Sequence, residues 1–225
     1  MNSEFANKEV KPSYGYPSGY TKPKSIAEQV RVLCEFFPDI SFSVNRMIAE
    51  QPLPQGAEGW FAIPMWQSIG KTYEEALFLK TIERNPFEEI FYNLLGRTPR
   101  PCERTVKSLE VLSEAQKGYN VLVIAAQFGL RHRGCSAFQV RKAFEANEFG
   151  LGSFAVACMI LTHRERLSSV NDLGIDCVGD SYKHYNDGDF SFVPYFKSAD
   201  HWAVIDDRSA DYADECYGAA TAFLP

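Results

Sequence analysis

The chain has 225 residues, of which 45% are hydrophobic and 14% aromatic, and a formal net charge of −6. That length suits one sizeable domain, and that apolar fraction fills a core, which excludes a disordered chain. No apolar segment follows a basic start, and the longest apolar run (151–161) is about half of the roughly 20 residues a membrane helix needs, so neither a secretory signal nor a membrane span is expected.

Six cysteines, at 34, 102, 135, 158, 177 and 216, form no CxxC pair, and four lie in or beside apolar runs. Buried, reduced thiols in a cytoplasmic protein are expected, with no zinc ribbon and no redox dithiol. The charge is unevenly spread. Residues 97–142 hold nine Lys/Arg against three Glu, a local +6, and residues 171–225 hold three Lys/Arg against eleven Asp/Glu, a local −8. Either these segments solvate the fold or pair with each other, or the basic one receives an acidic partner.

Residues 1–24, with "KPSYGYPSGYTKPK", are rich in Pro, Gly, Ser and Tyr without periodicity, and read as a flexible or extended arm, whose Tyr14, Tyr16 and Tyr20 could instead dock on the body or on a partner. Ser25 and Glu28 form a capping box that opens a helix through Ile26, Val30, Leu33 and Phe37, stopped by Pro38. A short second helix is predicted near 44–49, and a strand near 60–65 whose Pro64 belongs at an edge or an end. Thr72 and Glu75 make a second capping box opening a helix to about Arg84, and "FEEIFYNLL" makes another, closed by Gly96. A helix with Val106, Leu109 and Leu112 on one face then runs to Gly118. "VLVIAA" (121–126) is apolar on both faces, as a buried central strand is. A helix from about Ala137 to Asn147 follows, and the length and leading glycines of 151–161 favour a buried helix. Short strands near 173–178, 190–196 and 201–206, with "YNDGDF" as a hairpin turn, complete the chain. The expected fold is α+β: helices around a small mixed sheet, with a mainly antiparallel C-terminal strand portion, in a single domain spanning 25–225.

Four patterns bear on chemistry. Gly70, Lys71 and Thr72 end an imperfect phosphate-loop motif, but Met65 stands where its first glycine belongs, and the capping box accounts for Thr72 and Glu75 without a nucleotide. Cys135 follows Arg131, His132 and Arg133 at a helix start, a setting that favours a thiolate, with His132 or His163 as base. In the competing reading, Ser136 and Gln139 cap that helix and Cys135 with Val140 is its hydrophobic staple. Arg131, Arg133, Arg141 and Lys142 could instead contact nucleic-acid phosphate. Asp176, Asp180 and His184 offer ligands for a metal, although turn chemistry explains most of that segment. "GLGSFA" (150–155) matches a dinucleotide fingerprint but follows a helix, and "HRE" (163–165) matches half of a deaminase signature whose PCxxC is missing. No cofactor is expected.

The phrases "AQFGLRHRG", "NEFGLGSFAV", "LTHRERL", "IDCVGD" and "YGAATAFLP" resemble a family of small uncharacterised bacterial proteins. The resemblance covers 57–225 and implies a bacterial, cytoplasmic setting without attaching an activity. The function expected is non-enzymatic binding of another macromolecule, foremost a protein. Nucleic-acid binding through 97–142 is the first alternative. Catalysis by Cys135 or by Asp176, Asp180 and His184 is the second.

Overall fold

The computed structural model describes residues 16, 19–77, 99–182, 191–199 and 202–225. In chain order these hold α1 (Ile26–Phe36), β1 (Gly59–Pro64), β2 (Arg100–Pro101), α2 (Glu103–Ala115), β3 (Val121–Gln127), α3 (Ala137–Ala143), β4 (Glu148–Gly150), α4 (Ser153–Thr162), β5 (Gly174–Asp176), β6 (Asp180–Ser181), β7 (Phe192–Ala199), β8 (Trp202–Ser209), β9 (Tyr217–Ala219) and β10 (Thr221–Phe223). The fold is α+β. One four-stranded sheet, ordered β1-β3-β10-β4, is antiparallel throughout. A second, ordered β8-β7-β5-β9, is antiparallel except for β5 and β9, which run parallel. A short β2-β6 ladder stands apart.

Local sequence explains most boundaries. Ser25 Oγ accepts the Glu28 N–H at 3.3 Å while the Glu28 carboxylate accepts the Ser25 N–H at 3.0 Å, so two donors of the α1 terminus are satisfied together. α1 ends before Pro38, and the short helix after Val44 is a 3-10 turn, Arg46–Glu50. β3 is buried along its whole length between β1 and β10, and Pro64 closes edge strand β1, where its missing N–H leaves no ladder bond open. α4 is buried on every side and packs on β1 and α1.

Two expectations move. α3 stops at Ala143 instead of reaching Asn147, because Phe144 turns extended and a Glu145–Glu148 turn feeds β4. On α2 the buried face is Thr105, Ser108 and Leu112, which leaves Val106 39% exposed. The helix "FEEIFYNLL", Gly96 and the turn "YNDGDF" lie outside the described residues.

The open edges of the first sheet are closed by glutamine side chains. Gln29, fully buried on α1, donates Nε2 to Trp60 O at 2.9 Å and accepts the Ala62 N–H at 2.8 Å, imitating a neighbouring strand beside β1. Gln116, just past α2, does the same for Val123 of β3, where β10 is too short to reach. The two sheets are joined by the C-terminal segment. β9 belongs to one and β10 to the other, and between them Ala220 N–H donates to Asp176 O while Ala220 O accepts from Leu151 N–H. That crossing is possible because glycines meet there. A Cβ on Gly179 would lie 2.4 Å from Gly150 O, so the "GLG" of 150–152 serves close backbone packing.

Candidate functional site

The loop leaving β3 at the sheet's centre organises two polar clusters, one on each side. It turns at Gly129, whose φ of +132° brings its backbone onto Gly218, and continues as a 3-10 turn, Leu130–His132. Gln127 holds the turn from beneath. Its Oε1 accepts the Gly129 N–H at 2.6 Å, and its Nε2 donates to Ala219 O at 2.7 Å and Thr221 Oγ1 at 2.8 Å.

On the first side the fully buried Glu148 of β4 gathers three donors on Oε1: His132 Nε2 at 2.7 Å, Thr221 Oγ1 at 2.8 Å and Arg131 Nε at 3.2 Å. Burial pushes the Glu148 carboxyl up, but His132, Thr221 and Arg131 together outweigh it and hold the group down at about 2. Arg131 also pairs with Glu145 and lies over the Phe223 ring. The arrangement orients an imidazole against a carboxylate, as a general base is oriented.

On the second side the chain's own N-terminal segment is seated. Tyr16 and Tyr20 belong to the hydrophobic core, Tyr20 edge-on to Phe128 and His163. The Arg166 guanidinium, fully buried, lies 3.9 Å from the Tyr16 ring centroid and 5.6 Å from that of Phe128. Tyr16 donates its hydroxyl to Glu58 Oε1. Beyond them the Lys24 N–H donates to His163 Nε2 at 2.9 Å, and Lys24 Nζ reaches Thr162 O and Glu165. Burial depresses His163 to about 4, so it is a neutral acceptor near neutral pH.

A third cluster lies at the start of α4. Asp180 Oδ2 accepts the Ser153 N–H at 2.7 Å, Ser153 Oγ at 2.6 Å and Tyr73 Oη at 2.9 Å, so a buried carboxylate caps the helix from a distant strand. Asp176 is a separate case. Its Oδ1 faces Arg208 Nη1 at 3.7 Å, and burial, opposed by Arg208, raises it to about 7.

The residues singled out in the sequence are therefore dispersed. Arg131 and His132 meet on Glu148, while His163 lies with Arg166 across the loop. Cys135 packs beside Ala137 and Val140 in a small apolar cluster, and burial raises its thiol. Arg133 donates to Glu215 O, and Arg141 donates to Val178 O and Asp180 O, so these guanidiniums bind the acidic half of the chain; Lys142 is exposed. Gly70, Lys71 and Thr72 lead into a helical turn in which Thr72 Oγ1 accepts the Glu75 N–H and the Glu75 carboxylate accepts the Lys71 N–H. Asp176 and Asp180 serve different clusters, and His184 lies outside the described residues. Among the described residues no group of three His, Cys, Asp or Glu is placed to hold a metal ion. Sequence reading missed the roles of Glu148, Arg166 and Glu58, and Tyr16 and Tyr20 take the docked position that it offered second to a flexible arm. The available signal was a lone charge against an apolar run, as at Glu148 before "FGLGSFAV".

Alongside the seated segment runs an open groove of about 490 Å³, lined by Lys22, Lys24, Arg46, Ala49, Glu58 and Trp60 among others. Lys22 and Arg46 are exposed at its rim, and Met47, next to Arg46, is 65% exposed.

The fold and these clusters define an α+β protein with a buried polar hub at the end of its central strand. No family model, curated protein or solved structure matches the chain. No helix among the described residues is long and apolar enough to cross a membrane.

Proposed function

We propose that the protein acts by binding another protein, through the groove between residues 22–27, the 3-10 turn Arg46–Glu50 and the start of β1. The observation that carries this reading is the composition of that groove. A tryptophan and two exposed cations, Lys22 and Arg46, line it on a chain whose net charge is −6, and Met47, next in sequence to Arg46, is exposed. Trp, Met and Arg are the side chains enriched in interface cores, and the cations select a partner of acidic surface. The nucleic-acid reading draws less support, since Arg131, Arg133 and Arg141 already donate to protein oxygens. Among the described residues, neither Cys135 nor Asp176 with Asp180 has comparable geometry behind a catalytic role. The protein-binding reading keeps the bacterial, cytoplasmic setting that the family resemblance implies.

The test is affinity capture from source-organism lysate, with and without nuclease, using the wild type and Arg46→Glu in parallel. A protein that survives nuclease and is lost with Arg46→Glu is the expected result. Capture abolished by nuclease would transfer the function to nucleic acid, and capture indifferent to Arg46→Glu would move it away from this groove.

A further inference from the structure

Arg166 poses a separate question. Its guanidinium is fully buried, yet its one hydrogen bond among the described residues is a long one, Nη2 to Phe128 O at 3.4 Å, and its Nε and Nη1 have no partner there. A buried charge without a full set of hydrogen bonds is among the costliest features a fold can hold. It does not stand alone. The Tyr20 hydroxyl and Glu58 Oε2, which belong to the same cluster, are likewise buried and unpartnered among the described residues. Tyr16 and Phe128 hold the guanidinium by its faces, which leaves its N–H edges as the means of binding, and Phe61, Phe128 and His163 form an aromatic wall around Tyr20.

We propose that Arg166, Tyr20 and Glu58 form a binding site for a small organic carboxylate, covered by the rings of Tyr16 and Tyr20. Arg166 Nε–H and Nη1–H lie on different edges of the guanidinium, so a carboxylate, an acceptor-only group, takes one of them together with the Tyr20 O–H. The apolar remainder of the ligand is met by the aromatic wall. Glu58 fits this ligand when protonated. Oε1 accepts from Tyr16, and Oε2 then carries the proton and donates it to the ligand as a third hydrogen bond. Burial raises the Glu58 carboxyl, against the opposing effects of the Tyr16 hydrogen bond and Arg166, which makes that protonation accessible. Binding therefore favours the protonated form of Glu58 and tightens as pH falls. Because Tyr20 is both donor and cover, entry of the ligand requires its ring to swing aside and return.

The experiment is a titration of the full chain with sodium formate, acetate, propionate and benzoate, and with sodium phosphate and sodium chloride at matched ionic strength. Binding is followed by thermal shift and calorimetry at pH 5.5 and pH 7.5. Expected is a saturable stabilisation by at least one carboxylate beyond that of chloride, stronger at the lower pH. Tyr20→Phe, which keeps the ring and its packing, should weaken binding about tenfold through loss of one hydrogen bond to a charged group. Glu58→Gln, a permanent donor without charge, should bind at least as tightly as the wild type and lose the pH dependence. The proposal is overturned if no carboxylate exceeds chloride, if phosphate alone binds, or if Tyr20→Phe and Glu58→Gln both bind as the wild type does with the same pH profile.

Discussion

His132 Nε2 stands 2.7 Å from Glu148 Oε1, a buried pair joining the loop after the central strand to the strand at the far edge of its sheet. The Glu148 carboxyl is lowered from 4.5 to about 2 in the folded protein, so the unfolded chain takes up the proton first. The stabilisation is complete above the unfolded value and is lost as pH falls through the folded one. Its size is on the order of 3 kcal/mol. Urea denaturation at pH 7, 4 and 3 should show wild-type stability falling across that range. Glu148→Gln should be less stable at pH 7, by about 2–4 kcal/mol, because Arg131 loses its buried partner, and its pH dependence should be flatter.

Asp176 works in the opposite direction. Burial raises its folded value from 3.8 to about 7, so between those limits the folded protein holds a proton that the unfolded chain has released. Its contribution is therefore greatest below about pH 4 and declines as pH rises to 7. Asp176→Asn removes the titration. Thermal melts of the two proteins from pH 5 to pH 8 should converge at the acid end and separate at the alkaline end, with the wild type falling faster. Parallel curves would mean that Asp176 stays ionised on Arg208 throughout.

Elements whose cause is local were legible in the sequence. The Ser25/Glu28 and Ser136/Gln139 capping boxes form as spaced, and "VLVIAA" is the buried strand that its two apolar faces require. What could not be read is whatever depends on residues far apart in the chain. Glu148 meets Thr221 across 73 positions and Asp180 caps Ser153 across 27, and neither spacing forms a motif. Tyr16 and Tyr20 sit in a segment whose composition has no period, so their place in the core comes from residues far along the chain, Glu58, Phe128, His163 and Arg166. The basic middle segment looked like a surface because a sequence displays charges and not their partners. Arg133 and Arg141 in fact spend theirs on carbonyls of the acidic half.

The amide of Gln29 offers a direct test of how the first sheet closes its edge. Truncation to Ala leaves the Ala62 N–H and Trp60 C=O without their partner and opens a cavity beside β1. The expected cost is about 2–4 kcal/mol in urea denaturation. Gln29→Glu separates the two hydrogen bonds. It keeps an acceptor for Ala62 N–H, loses the donor to Trp60 O and buries a charge, so it should be no more stable than the Ala variant at pH 7 and should recover as pH falls. If both variants match the wild type, the edge is protected by something other than this amide.

Cys135 separates the structural reading of the loop from the catalytic one. A reactive thiol needs its thiolate stabilised, yet here burial raises the thiol, and the side chain packs beside Ala137 and Val140 instead of lying against an imidazole among its recorded contacts. Cys34 and Cys216 are exposed. Pulse labelling of the native protein with an alkylating reagent at pH 7.5, read by peptide mass spectrometry, should modify Cys34 and Cys216 first and Cys135 more slowly, by roughly tenfold. Cys158 and Cys177, both fully buried, should react only on unfolding. Faster labelling of Cys135 than of the two exposed thiols would require a cation to reach its sulfur in solution. Arg133, the nearest in sequence, donates to Glu215 O, and Arg131 and His132 would both first have to leave Glu148. The same outcome should then disappear at high salt and persist in Glu148→Gln, which frees them, and that combination would restore the nucleophile that the sequence motif suggests.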